Sequence, residues 1–427
     1  MIKFINRNIS YISTLTILLF FTPLFYYSFQ YIINIWAFSD AFINYSYGFV
    51  RRGLLGEIIL FLNSILDVDV FYIHSSIYLI FTIINIILFV FLLKKVSKKK
   101  FLYIFLLLNP ALILFPLYDT GGYLRKEIIV LTLMLVHTLV CNKYHDNKIS
   151  QKTYNKFLIF FNIPSILLLT LNHGIQFFLI PFHICLTYNV YFEKFNIHEI
   201  KKIFTFKNFY ILFYFLNLIP LIYFFINPIK TDQLRLIYEY TNQFNKNILW
   251  DPISFVSNPL SSAVITETKN MFGSANALKT YSVNLFFALV PIIYIFNNFY
   301  KNNYLKLKNY PLIFLSITPI FLLFFIGRDW GRWLNVLSFA ILLLYLQFPL
   351  YKNFKLNFFS NKKTPTLILV KIIIISVCLY YLLFMMVPHC CNNTNYHMGG
   401  FVENVKMAYK ILFGDFGSHL DNTFRKN

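Results

Sequence analysis

Apolar residues run through this chain in long blocks separated by short polar stretches. About eleven blocks approach the ~20 residues that cross a bilayer as a helix. They fall near 11–36, 71–93, 101–117, 127–141, 157–171, 174–192, 208–226, 283–297, 311–326, 333–350 and 366–387. The pattern predicts an all-α, polytopic membrane protein forming a single transmembrane domain over 1–427. The first block reads as a retained span, because it is too long for a signal peptide and no small-residue cleavage site follows Trp36. Three polar regions stand out: a first loop at 37–70, a large loop at 228–282 and a tail at 388–427. Within the first loop, residues 54–66 predict a short interfacial helix.

Composition narrows the class. Of 427 residues, 58% are hydrophobic and only 13% charged, with mean hydropathy +0.61. A soluble chain carries about 25% charged residues, so soluble and disordered classes are excluded. The formal charge of +21 is a topology signal: alternate loops hold 22 basic residues, nearly all lysine, against three acids. Under the positive-inside rule those loops are cytoplasmic, with the N-terminus inside and the C-terminus outside. No basic face interleaved with exposed aromatics argues for nucleic acid.

Arginine breaks the pattern. Of eight Arg, only Arg7 lies on the inner side, while Arg51, Arg52, Arg125, Arg235, Arg328, Arg332 and Arg425 lie outside. Arginine presents a planar fork of donors suited to phosphate, so the outer cluster predicts an anion site at the membrane surface. Arg51, Arg52, Arg125, Lys126, Arg328 and Arg332 are the candidate phosphate-binding groups. Arg328 and Arg332 are four apart, sharing a face if helical, with Asp329 between them to orient a guanidinium. Asp40 and His173 are the candidate proton acceptors, with Asp119 and Glu127 as weaker orienting carboxylates. The plainer readings are snorkelling arginines, solvated loop acids and a satisfied interfacial histidine. The five cysteines form no disulfide framework, and His389-Cys390-Cys391 fits no ligand template, so no metal is expected.

On these residues the chain resembles the polytopic enzymes of bacterial surface-polysaccharide assembly. In size, in the 228–282 loop and in Arg51, Arg52, Arg125, Arg328 and Arg332 it is similar to O-antigen or capsule repeat-unit polymerases. The long first outer loop with Asp40 resembles the GT-C glycosyltransferases, which use a polyprenyl-phosphate sugar. The resemblance implies a multi-pass protein of the bacterial inner membrane with an extracytoplasmic active face. It implies polyprenyl-(di)phosphate-linked glycan donor and acceptor, membrane lipid and a chain-length regulator protein as partners, and no cofactor. A third reading, a flippase or transporter for the same lipid-linked glycan, would place charges midway through the bilayer.

Overall fold

The computed structural model describes residues 2–32, 34–97, 100–118, 123–191, 214–227, 229–257, 278–289, 310–326, 329–347, 376, 378–383, 385 and 387. Every regular element among them is a helix. Among the described residues, four helices are long and apolar enough to cross a membrane: Asn8–Ser28, Val70–Val96, Glu127–His145 and Gln151–Asn172. Shorter apolar helices include Leu54–Leu66, Ile175–Tyr191 and Trp330–Leu346.

In chain order, α1 is Ile2–Ser28, α2 Ile35–Ala41, α3 Leu54–Leu66, α4 Val70–Leu93, α5 Lys100–Leu108, α6 Phe115–Tyr118 and α7 Glu127–His145. Then come α8 Gln151–Asn172, α9 Ile175–Tyr191, α10 Leu218–Ile226, α11 Thr231–Asn242, α12 Trp250–Ser254, α13 Tyr310–Ile326 and α14 Trp330–Leu346. Residues 278–289 are also helical. The bundle centres on α7, which packs against α4, α9 and α14, while α13 packs against α9 and α14.

Two apolar blocks are not continuous helices. The first ends at Ser28, and a new helix starts where the Asn34 side chain accepts from the Ala37 amide at 2.9 Å. Residues Ala37–Ala41 of that short helix are buried, so the first residues of the expected 37–70 loop turn inward as helix. The block at 101–117 stops at Leu108. Pro110 has no amide to donate, and the Asn109 side chain takes the Ala111 amide at 2.9 Å. The freed carbonyls of Ala111 and Leu112 are met by Asn335 of α14, at 2.9 and 3.0 Å. A membrane bundle tolerates broken backbone only where a neighbour supplies such bonds. In α8, Pro164 follows a π turn at Leu158–Asn162, which makes room for the ring against the preceding turn.

The first loop folds back on the bundle. At Gly56 an added Cβ would lie 2.1 Å from the Ile43 carbonyl oxygen, so only glycine lets α3 start this close to residues 42–45. The Glu57 side chain takes the Tyr45 amide at 3.1 Å. Segments of the large loop sit on this fold. Leu249 donates its amide to Ser39 Oγ at 2.8 Å, and Arg51 donates to the carbonyls of Val256 and Phe255 at 3.0 and 3.3 Å.

Candidate functional site

Residues from five separated segments meet at one end of the bundle. Asp40 comes from α2 and Arg52 from the turn before α3. Lys126 and Glu127 open α7, His173 links α8 to α9, and Arg332 lies in the first turn of α14. Three helices therefore direct their N-termini, the positive ends of their dipoles, toward this region.

Asp40 is held by two cations. Arg52 Nη1 lies 3.1 Å from Oδ1, and Lys126 Nζ lies 3.3 Å from Oδ2. Lys126 also donates to the backbone carbonyls of Asp40 at 2.8 Å and Arg52 at 3.0 Å. Burial alone would raise the Asp40 carboxyl. Lys126 and Arg52 outweigh it, with His173 and Arg125 adding to them, and hold it well below the usual carboxylate range. Burial pulls Lys126 down to about 8, against the pull of Asp40. Arg52 has a φ of +69° and Leu124, two residues before Lys126, a φ of +59°. Such backbone costs ~1–3 kcal/mol in a residue with a side chain, so strain is stored on both sides of this clamp.

Glu127 centres a second group. Its Oε1 receives Arg332 Nη2 in a close ion pair and lies 3.3 Å from His173 Nε2. Arg332 also pairs with Asp329 and stacks over the Trp333 ring, 5.1 Å from its centre. Burial first, then the cations Arg52, Lys126 and Arg125, push the His173 ring well below its ordinary pKa, so it is neutral near pH 7. Its Nδ1 accepts the Ile175 amide at 3.1 Å. The single ring proton is thereby assigned to Nε2, which donates to Glu127. The other carboxylate oxygen, Glu127 Oε2, is buried and has no hydrogen-bond partner among the described residues.

Glu127, Arg125 and Arg332 line a small, partly open cleft of about 30 Å3 whose apolar wall includes Phe115, Ile128 and Leu131. Of the charged groups, Arg125, Arg332 and Glu127 line the cleft, while Arg52 and Lys126 are held on Asp40 beside it and Asp329 pairs with Arg332. Among the described residues, no group of three or more His, Cys, Asp or Glu is arranged to hold a metal.

No family model, no curated protein and no solved structure matches this chain. The site therefore stands on its geometry alone.

Of the expected site residues, Asp40, Arg52, Arg125, Lys126, Glu127, His173, Asp329 and Arg332 converge. Arg51 lies next to them but turns its guanidinium to the large loop, and burial, with Arg52 beside it, lowers it to about 10. Asp119 and Arg328 fall outside the described residues, as do His389, Cys390 and Cys391. Arg235 is apart, in an exposed pair with Glu239. Sequence reading passed over Asn335 and Gln176. Asn335 lines the cleft, and Gln176, three residues past His173, is buried with both amide atoms unbonded among the described residues. Their signal was an amide inside an apolar run, which is costly unless it bonds.

Proposed function

We propose that this protein is a membrane glycosyltransferase of surface-polysaccharide assembly. In this reading it polymerises polyprenyl-diphosphate-linked repeats at the outer face of the bacterial inner membrane. The carrying observation is that Arg125 and Arg332 line one cleft with an apolar wall, with Arg52 and Lys126 clamped on Asp40 at the same end of the bundle. The reading includes eleven spans, a GT-C-like arrangement and a cytoplasmic N-terminus, which set the cleft at the outer surface.

The chemistry follows from charge. An acceptor sugar hydroxyl attacks the anomeric carbon of the donor, and the bond from that carbon to the lipid diphosphate breaks. Negative charge grows on the leaving phosphate. Cations fixed beforehand stabilise that charge more in the transition state than in the ground state. Polyprenyl chains lie along the apolar wall, and the energy comes from the leaving lipid diphosphate.

One observation favours a second reading, a GT-C enzyme adding a single sugar from a polyprenyl phosphate: the first-loop carboxylate Asp40 lies inside the cation cluster. Membranes of the native host, deleted for the gene and supplied with the full-length chain and lipid-linked repeats, separate the two. Ladders of chain length support polymerisation, and addition of one sugar supports the second reading. Glycosidic bonds formed normally by Arg332→Ala, with export lost, would overturn both in favour of transport.

A further inference from the structure

The displacement proposed above releases a proton from the acceptor hydroxyl, and three groups at this end of the bundle are candidates to take it: Asp40, His173 and the cleft-lining Glu127. Two are occupied. Asp40 has Arg52 on one oxygen and Lys126 on the other, so accepting a proton would break the ion pairs that hold both cations in place. His173 receives the Ile175 amide on Nδ1 and points its Nε2 at Glu127, which leaves no ring lone pair for a substrate. The third is Glu127. Its Oε1 is fixed by Arg332 and His173, its side chain is 7% exposed, and its Oε2 is buried with no bonding group among the described residues. The residue also lines the cleft beside Arg125 and Arg332.

We propose that Glu127, through Oε2, takes the proton of the acceptor hydroxyl as that oxygen bonds the anomeric carbon, while Asp40 and His173 act as positioning residues. The proposal rests on the glycosyltransferase reading. The balance is complete: the carbon–oxygen bond to the lipid diphosphate breaks, its electron pair leaves with the phosphate toward Arg332 and Arg125, and the proton passes to Glu127. A fixed carboxylate with one saturated and one open oxygen suits this task, because its rotamer is set before the substrate arrives. Asp40 then holds Lys126 and Arg52 in register, and His173 donates to Glu127 Oε1 to aim Oε2.

The test uses the full-length chain in native-host membranes deleted for the gene, with the membranes' own lipid-linked glycans as substrate. Binding is read separately on phosphatidylcholine vesicles doped with a polyprenyl diphosphate. Glu127→Gln is expected to lose at least a hundredfold in turnover, the lower end of the ~10²–10⁴-fold that one positioned proton acceptor supplies, with vesicle binding kept within threefold. Glu127→Ala is expected to regain at least tenfold on addition of formate, a rescue that a structural role would not give. Glu127→Gln turnover within tenfold of wild type, or formate rescue at Asp40→Ala in place of Glu127→Ala, overturns the assignment while leaving the glycosyltransferase reading intact. If Glu127→Gln fails to reach the membrane folded, the formate response of Glu127→Ala decides. A wild-type chain that binds the vesicles but forms no glycosidic bond overturns the reading and this assignment together.

Discussion

Two buried polar clusters share this bundle, built in opposite ways. The one at the bundle end draws ionised side chains from loops and helix starts, and it leaves a carboxylate oxygen open beside a cleft. The other lies inside the helices. His183 and His137 meet through their Nδ1 atoms at 2.9 Å, His137 Nε2 lies 3.2 Å from the Tyr154 hydroxyl, and Tyr154 donates to Thr187. Thr187 meets the Tyr214 hydroxyl at 2.9 Å, and Asn162 donates to that hydroxyl at 2.7 Å. Every link of this second chain pairs neutral groups. With Tyr154 donating onward, His137 is assigned its proton on Nε2 and His183 on Nδ1. His183 Nε2 and Asn162 Oδ1 in this network are also buried without a hydrogen-bond partner among the described residues, as is Glu127 Oε2 in the first, so the difference lies in charge: a neutral network between helices fastens them, whereas a cluster with excess cations beside a cleft is shaped for something absent from the chain itself.

That contrast breaks most sharply at Arg332. Arg332→Met removes the partner of Glu127 and of Asp329 and takes a donor from the proposed phosphate site. Loss of one such donor costs about 3 kcal/mol in the transition state, so turnover in native-host membranes should fall ~10²–10³-fold. Arg332→Lys should recover little, because a point charge cannot serve both carboxylates and stack on Trp333. Full activity in the lysine variant would show that geometry at this guanidinium is unimportant.

Lys126 sharpens the comparison in stability. Its ammonium is 1% exposed and makes three contacts to Asp40 and Arg52. Lys126→Met leaves the buried Asp40 carboxylate with Arg52 alone and should cost ~3 kcal/mol, the low end for removing one partner of a buried ion pair, read as a lower midpoint of thermal unfolding in detergent. The pH dependence has two signs. Burial depresses Lys126 to about 8, against roughly 10.4 in the unfolded chain. Between those values the unfolded state binds more protons, so this residue's contribution to stability rises with pH. Retention of a polyprenyl diphosphate should run the other way and weaken as pH rises through about 8, because a site cation and clamp is lost. The binding limb should vanish in Lys126→Met; if it persists there, another group titrates.

Gly56→Ala tests how far the site depends on the first loop. The new methyl meets the Ile43 carbonyl, a backbone atom that cannot rotate away. A cost of ~1–3 kcal/mol is expected, the range for overpacking a fixed contact. Because Asp40 lies just before Ile43, turnover should drop together with stability. Unchanged thermal unfolding would mean that α3 shifts freely.

Helices were legible wherever the apolar block was long and uninterrupted. The block at 71–93 forms Val70–Leu93, and 54–66 forms Leu54–Leu66. Boundaries failed where a side chain competes for backbone bonds, at Asn34 and Asn109, since hydropathy carries no record of such competition. Arg52, Arg125 and Arg332, singled out in the sequence, meet at one end of the bundle, and Asp40, His173 and Glu127, also named, lie with them. Their pairings were not named. The contact of Lys126 with Asp40 spans 86 residues, and that of Arg332 with Glu127 spans 205. Which carboxylate oxygen stays open depends on such long-range pairings, so composition and spacing had no access to it.

The smallest effect is expected in the neutral cluster. Tyr154→Phe keeps the ring, which stacks near His137 and Phe157, and deletes only the hydroxyl. His137 Nε2 and Thr187 each lose a partner, and Cys141 loses its contact with the same oxygen. Hydrogen bonds between membrane helices average ~0.6 kcal/mol, so a loss of about 1 kcal/mol in thermal unfolding is the expected size. Turnover should stay within twofold of wild type, because no member of this network is among the cleft-lining residues. A large loss of turnover with little loss of stability would reverse the comparison, making the histidine pair part of the machinery rather than the fastening between α7, α8 and α9.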